Sequence, residues 1–332
     1  AGWNTRADGT GTNYGPNETV SISDLNTIAN NDLASEGAIL YANWIPAEKD
    51  YTMQTFNQSI CEQKLNVGEV MALRDIRDDN VYTIARLPMG WDSTNNTYAS
   101  SACWMIENLR LGKEDNVILT SIDTDTLSNF TLSGASDVWC TDADAASGPT
   151  CINQPKLNIS NVASAVSNMS DANSNVYSYG AYYNWYATTT GGGTYSISAD
   201  AQHITASLCP SNWFLPQGGN TTNRDNSDFY KLGKAMANGD EPESMNQWNQ
   251  PYYVNKANLF RSYPYNFVLS GNWRDRHTAS RSTYGFYWTS SNATSSQAYD
   301  LVIQSPPAPK AYPGTYNGPK YVGYTIRCLA SN

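Results

Sequence analysis

Six cysteines are the residues of this chain with the clearest chemistry: Cys61, Cys103, Cys140, Cys151, Cys209 and Cys328. A thiolate metal site would need them in Cys-x-x-Cys pairs or beside histidines at ligand spacing, and none is so placed. Their even number and wide separation point to oxidation into disulfides, which form and persist outside the reducing cytosol. The expected pairs are Cys61–Cys103, Cys140–Cys151 and Cys209–Cys328, although six cysteines allow many connectivities. Cys140 and Cys151 flank a polar run of small residues that reads as a locally closed loop. Cys209–Cys328 would close a loop of roughly a hundred residues and contribute on the order of 4 kcal/mol through chain entropy.

Other reactive side chains are sparse. The two histidines, His203 and His277, lie in no Gly-x-Ser-x-Gly, His-Glu-x-x-His or Cys-His arrangement that would activate a nucleophile or hold a metal. Gly191-Gly-Gly193 lacks the lysine and following helix of a phosphate-cradling loop. The acidic runs around Asp123, Asp142 and Asn223–Asp228 offer oxygen ligands without the spacing of an EF-hand. The expectation is therefore no catalytic residue, no metal and no cofactor.

The scaffold that must carry these residues is acidic and poor in charge. Only 15% of the 332 residues are charged, the net charge is −10, and 10 Trp and 23 Tyr stand against 7 Phe. No basic stripe is available to neutralise phosphates, which excludes nucleic acid as a partner. No stretch approaches the apolar length of a membrane span, and no signal-peptide pattern stands at Ala1, so membrane insertion of this chain is not expected. The fold class indicated is α+β and β-rich, with long loops and disulfides, the composition of a secreted or surface protein.

Residues 1–45 read as a small module. Gly2-Trp-Asn leads through Glu18-Thr-Val-Ser-Ile22 to Ala38-Ile-Leu-Tyr-Ala-Asn-Trp44, whose alternation suggests a strand. This resembles the Listeria–Bacteroides repeat, a β-grasp-like module of bacterial surface proteins that closes on a Leu-Tyr-Ala-x-Trp strand. The resemblance implies that the opening strand is missing here. It leaves an edge, with Val20, Ile22, Ile39 and Tyr41 beside it, open to strand addition from a neighbouring copy.

Ile45–Asp50 reads as a linker, and Met53, Phe56 and Ile60 fall at helical spacing, placing Cys61 on a helix. Val70–Asp75, a turn at Arg77–Asn80, and Val81–Leu87 read as a hairpin. Several blocks then follow in order: Cys103-Trp-Met-Ile-Glu-Asn-Leu109, Tyr179–Ala187, Cys209-Pro-Ser-Asn-Trp-Phe-Leu-Pro216, Asn266–Trp273, Tyr284–Ser291 and Gly323-Tyr-Thr-Ile-Arg-Cys328. In this order they resemble the Fibrobacter succinogenes major paralogous domain, over residues 46–332. That resemblance implies a C-type lectin-like architecture on a surface or secreted bacterial protein. The chain departs from the pattern at Asn212, where a glycine is expected, and in a polar insertion at 112–176 that holds the Cys140–Cys151 loop.

The expected function is that of a non-enzymatic cell-surface or secreted protein, an adhesin or a subunit of an extracellular filament. Its partner would be a protein or glycan on another surface, or neighbouring copies of itself. Two alternatives share the architecture. One is an enzyme of the formylglycine-generating type, which needs active-site cysteines. The other is a carbohydrate-binding lectin, although Asp240-Glu-Pro-Glu243 only partly echoes the calcium-lectin triplets. Asn292–Tyr321, rich in Asn, Ser, Gln, Tyr and Pro, reads as an exposed recognition loop. The ligand residues expected there are Asn292, Gln297, Tyr299, Tyr312, Tyr316, Asn317 and Tyr321, with Asn272, Trp273 and Arg274 beside them.

Overall fold

The computed structural model describes residues 2–4, 13–14, 41–43, 47–77, 79–109, 180, 182–189, 193, 197, 199–220, 222–240, 244–245, 251–254, 257–274, 277–305, 309–320 and 322–332. They form a mixed α+β structure dominated by sheets. In chain order its strands and helices are β1 (Gly2–Asn4), β2 (Asn13–Tyr14), β3 (Tyr41–Asn43), β4 (Ala47–Thr52), α1 (Gln58–Lys64), β5 (Val70–Arg74), β6 (Val81–Met89), β7 (Ser100–Met105), α2 (Trp185–Thr188) and β8 (Trp213–Phe214). There follow α3 (Asp228–Met236), β9 (Ser244–Met245), β10 (Pro251–Val254), α4 (Ala257–Arg261), β11 (Asn272–Arg274), β12 (His277–Ala279), β13 (Tyr284–Asn292), β14 (Gln297–Gln304), β15 (Lys310–Pro319) and β16 (Leu329–Ala330). The sheets run β2-β1-β3, β4-β5-β6-β7-β16-β8, β13-β14-β15-β10-β9 and β11-β12.

The hairpin expected at 70–87 is present, β5 pairing β6 from Val70↔Ala85 to Arg74↔Val81. Its turn is tied down by Asp75, whose buried carboxylate meets Arg77 at 2.6 Å and accepts from Gln54 Nε2 at 2.6 Å. Arg77 also donates to the Leu208 carbonyl, joining the hairpin to the approach to Cys209. The helix carrying Cys61 begins later than the apolar spacing suggested. Asn57 caps it, its Oδ1 accepting from the Ile60 N–H at 2.9 Å, while Met53 and Phe56 are buried in the turn before it.

Ile45–Asp50 was expected to be a linker, but Ala47–Thr52 forms β4, parallel to β5. An edge strand bonded through its backbone needs no apolar alternation, and this one shows none. At the N-terminus Gly2–Asn4 is a strand between β2 and β3, with Trp3 opposite both Tyr14 and Ala42. Tyr41 lies on β3, at an edge of that sheet among the described residues. Val20, Ile22, Ile39, the insertion at 112–176 and the Cys140–Cys151 pair lie outside the described residues.

Among the described residues two disulfides are present, Cys61–Cys103 and Cys209–Cys328. The first fixes α1 to β7, a contact that Gln58 reinforces by accepting from the Cys103 N–H and donating to the Ser101 carbonyl. The second brings the approaches to β8 and β16 together. Leu329 of β16 then pairs with both Trp104 of β7 and Phe214 of β8, so two strands from the chain's first and middle thirds are joined by a late one. Among the described residues, no helix is long and apolar enough to cross a membrane.

The largest correction concerns Asn292–Tyr321, which is not an irregular loop. Asn292 ends β13, and Gln297–Gln304 and Lys310–Pro319 are the paired strands β14 and β15. Strand β14 is buried from Ala298 to Ile303 on both faces, so it has none of the alternation that marks a half-exposed strand. Pro313 and Gly314, which read as loop formers, fall where the β14–β15 register shifts. Glycine is required at 314: its φ is +76°, and a Cβ there would lie 2.3 Å from Ser227 Oγ.

Candidate functional site

Register assigns the side chains of β13, β14 and β15 to two faces, because directly opposed residues of an antiparallel pair share a face. One face carries Leu301, Ile303, Ala311 and Tyr287, packed in a common core with Phe229 and Leu232 of α3 and Phe260 of α4. The opposite face carries Tyr284, Phe286 and Trp288 from β13, Ala298, Asp300, Val302 and Gln304 from β14, and Tyr312 and Tyr316 from β15.

This second face is lined with rings. Tyr284 stacks on Phe286 at 5.7 Å, Phe286 on Tyr324 at 4.9 Å, and Tyr324 meets Trp288 at 4.2 Å between centroids. Across the sheet, the Tyr312 and Tyr316 rings lie 5.2 Å apart. Trp288 is fully buried, whereas Tyr284, Phe286, Tyr312 and Tyr316 are only partly so.

Asp300 lies in the middle row, opposite Trp288 on one side and Tyr316 on the other. It is fully buried, and neither carboxyl oxygen has a hydrogen-bond partner among the described residues. Burial raises its pKa well above the ordinary carboxylate range, opposed only by its own backbone N–H. The Tyr316 hydroxyl is raised by burial and further by Asp300 and Tyr284.

Of the other expected ligand residues only Asn292 shares this face, opposite Ala298 at its far end, and the rest do not gather here. Tyr299 points to the opposite face and is buried, donating to Asp200 Oδ1 at 2.7 Å, and burial with that carboxylate holds its pKa far above normal. Asn317 is the cross-strand partner of Tyr299 and shares its face, and Gln297 is partly buried at the start of β14. Asn292 is fully buried, its amide donating to the Ala199 carbonyl at 2.8 Å while its Oδ1 has no partner among the described residues. Asn272, also buried, lies with Trp273 and Arg274 on β11 of the separate two-stranded sheet. Tyr321 lies outside the described residues. Tyr312 and Tyr316 are thus the two expected residues brought together, and the sequence reading missed Asp300, Tyr284 and Phe286.

A second polar group deserves comparison because it contains a histidine. His203 Nδ1 lies 2.6 Å from Ser291 Oγ. That oxygen also donates to the Gly218 carbonyl and accepts from the Gly218 N–H, both at 2.9 Å. With its proton committed to Gly218, the Ser291 hydroxyl can only accept from the imidazole, so His203 cannot draw a proton from it. Burial lowers the His203 pKa and raises that of Asp228, whose carboxylate accepts from the Gln217 N–H at 2.8 Å. This group anchors the Gln217–Gly219 turn and is not built as an activated nucleophile.

Among the described residues there is no free cysteine and no group of three or more His, Cys, Asp or Glu side chains placed to hold a metal ion. Searches against protein-family models, curated proteins and solved structures find no match to the chain.

Proposed function

We propose that this is a non-catalytic secreted or cell-surface protein of bacterial type, which binds its partner through the ring-lined face of β13–β15. The observation that carries the reading is the partly buried Tyr312–Tyr316 pair on the same face as Asp300, whose carboxyl oxygens have no hydrogen-bond partner among the described residues. Partly buried tyrosines on a rigid sheet offer large contact area with little loss of side-chain entropy on binding. The two disulfides support an oxidising, extracellular setting. The C-type lectin-like architecture implied by the Cys209–Pro216 and Gly323–Cys328 blocks is part of this proposal. Its support is the clamp itself, a late strand and a disulfide holding the sheet that frames the intervening region.

The test is a protein and glycan array probed with the parent chain and with the Tyr312→Ala/Tyr316→Ala double variant. The variant is expected to keep the parent's melting behaviour to within a few degrees and to lose the array signal. Unchanged array binding by a folded double variant would refute the face.

A further inference from the structure

Asp300 poses a hydrogen-bonding problem on this face that the described residues do not solve. A buried carboxyl group with neither oxygen bonded is costly, and native proteins retain few of them. What surrounds it is aromatic: Trp288 and Tyr316 are its direct cross-strand neighbours, and Phe286 and Tyr312 flank Val302 at the next pair on this face. Ring faces attract cations, most strongly where water is excluded. Among the described residues the one cation on this face is Lys310, opposite Gln304, four residues along β14 from Asp300 and so about 13 Å away. It does not meet the carboxyl group. The chain as a whole carries −10, a field that draws cations in.

We propose that Asp300 and the rings of Phe286, Tyr312 and Tyr316 form a receptor for an alkylammonium group, the chemistry of a lysine side chain presented by a partner protein. The inference rests on the reading of this face as a binding surface and names what it takes. Tyr316 is only partly buried and lies directly across from Asp300, so a turn of its ring is the short path between the carboxyl group and the surface. The arriving ammonium supplies the donors that both carboxyl oxygens lack, while the rings contact its charge and its alkyl stem. Burial favours the protonated carboxyl in the empty site, so ion-pair formation pushes its proton toward solvent. Besides Asp300 and Lys310, the titratable groups facing the site are Tyr284 from β13, Tyr312 and Tyr316 from β15, and Tyr324 packed over Phe286. Burial raises the partly buried Tyr316 as well, so the Asp300 carboxyl is the group of this set whose proton the ion pair displaces.

The experiment is calorimetric titration of the full chain with butylammonium chloride at neutral pH, in two buffers of different ionisation enthalpy, with butanol and methyl glycosides as neutral probes. Saturable butylammonium binding with release of about one proton is expected, and no response to the neutral probes. Asp300→Asn should weaken butylammonium binding by about tenfold or more and abolish the proton release. Carbonyl-carbon NMR of Asp300 in the parent chain gives a reading that does not depend on the variant folding: its resonance should move to the ionised position on ligand addition. Absence of saturable binding, binding without proton release, or saturation by a glycoside instead would overturn the inference. Failure of butylammonium to bind while the double tyrosine variant still loses its array partner would sink the cation and leave the face standing. Failure of both would remove the face as well.

Discussion

At Asp300, proton binding and stability are linked. Its folded pKa is raised, so the folded state holds a proton that the unfolded chain releases above about pH 4. Its effect on stability is most favourable below the unfolded pKa and is lost as pH rises through the folded one. Asp300→Asn, which keeps the shape and removes the titration, should therefore raise the melting temperature at pH 7 and flatten its decline above pH 4, as followed by circular dichroism. Lys320 works in the opposite direction. It is buried with its Nζ 4.7 Å from the Trp185 ring centroid and donating to the Ile197 carbonyl, and burial pulls its pKa down to about 7. A depressed lysine disfavours folding most below its folded pKa, and that burden lifts between about 7 and the unfolded lysine value. A titration of the Lys320 ε-carbon by NMR should show its midpoint near 7, well below the exposed lysines.

Single elements show both what the sequence discloses and what it hides. The β5–β6 hairpin was legible because its residues read as two β-prone runs around a polar turn. The helix carrying Cys61 was legible but its start was not: Met53 and Phe56 fit the apolar spacing yet lie in the turn before it, and the Asn57 cap is the local signal that spacing overrode. Asn57→Ala should cost about 1 kcal/mol in chemical denaturation. Strand β14 was not legible, because a strand covered on both faces reads like any mixed run until its partners are known. For the same reason Asp300 could not be picked out: its significance lies in being opposite Trp288 and Tyr316, and register is a tertiary fact. The two disulfides differ in the chain they enclose, with separations of 119 and 42 residues. Replacing both members of Cys209–Cys328 by alanine should cost about 1 kcal/mol more than replacing both members of Cys61–Cys103, if loop entropy dominates.

Across the molecule, one residue from the final block holds distant parts together. Arg327 is almost fully buried, donates to Asn108 Oδ1 at 2.8 Å and to the carbonyls of Tyr265 and Asn266, and lies 4.2 Å from the Phe267 ring centroid. Burial lowers its pKa to about 10, which leaves it charged under ordinary conditions. Arg327→Met would strip the buried Asn108 Oδ1 and two part-buried carbonyls of their donor and should cost about 3 kcal/mol or more, measured by urea unfolding. The placing of β16 between β7 and β8 also sets an order in time. A chain emerging from the ribosome presents β7 and then β8 well before Leu329 and Ala330, so the six-stranded sheet stays split, with two raw edges, until β16 is made. The strand that joins these two edges is therefore also the one whose arrival hides them from pairing with other chains.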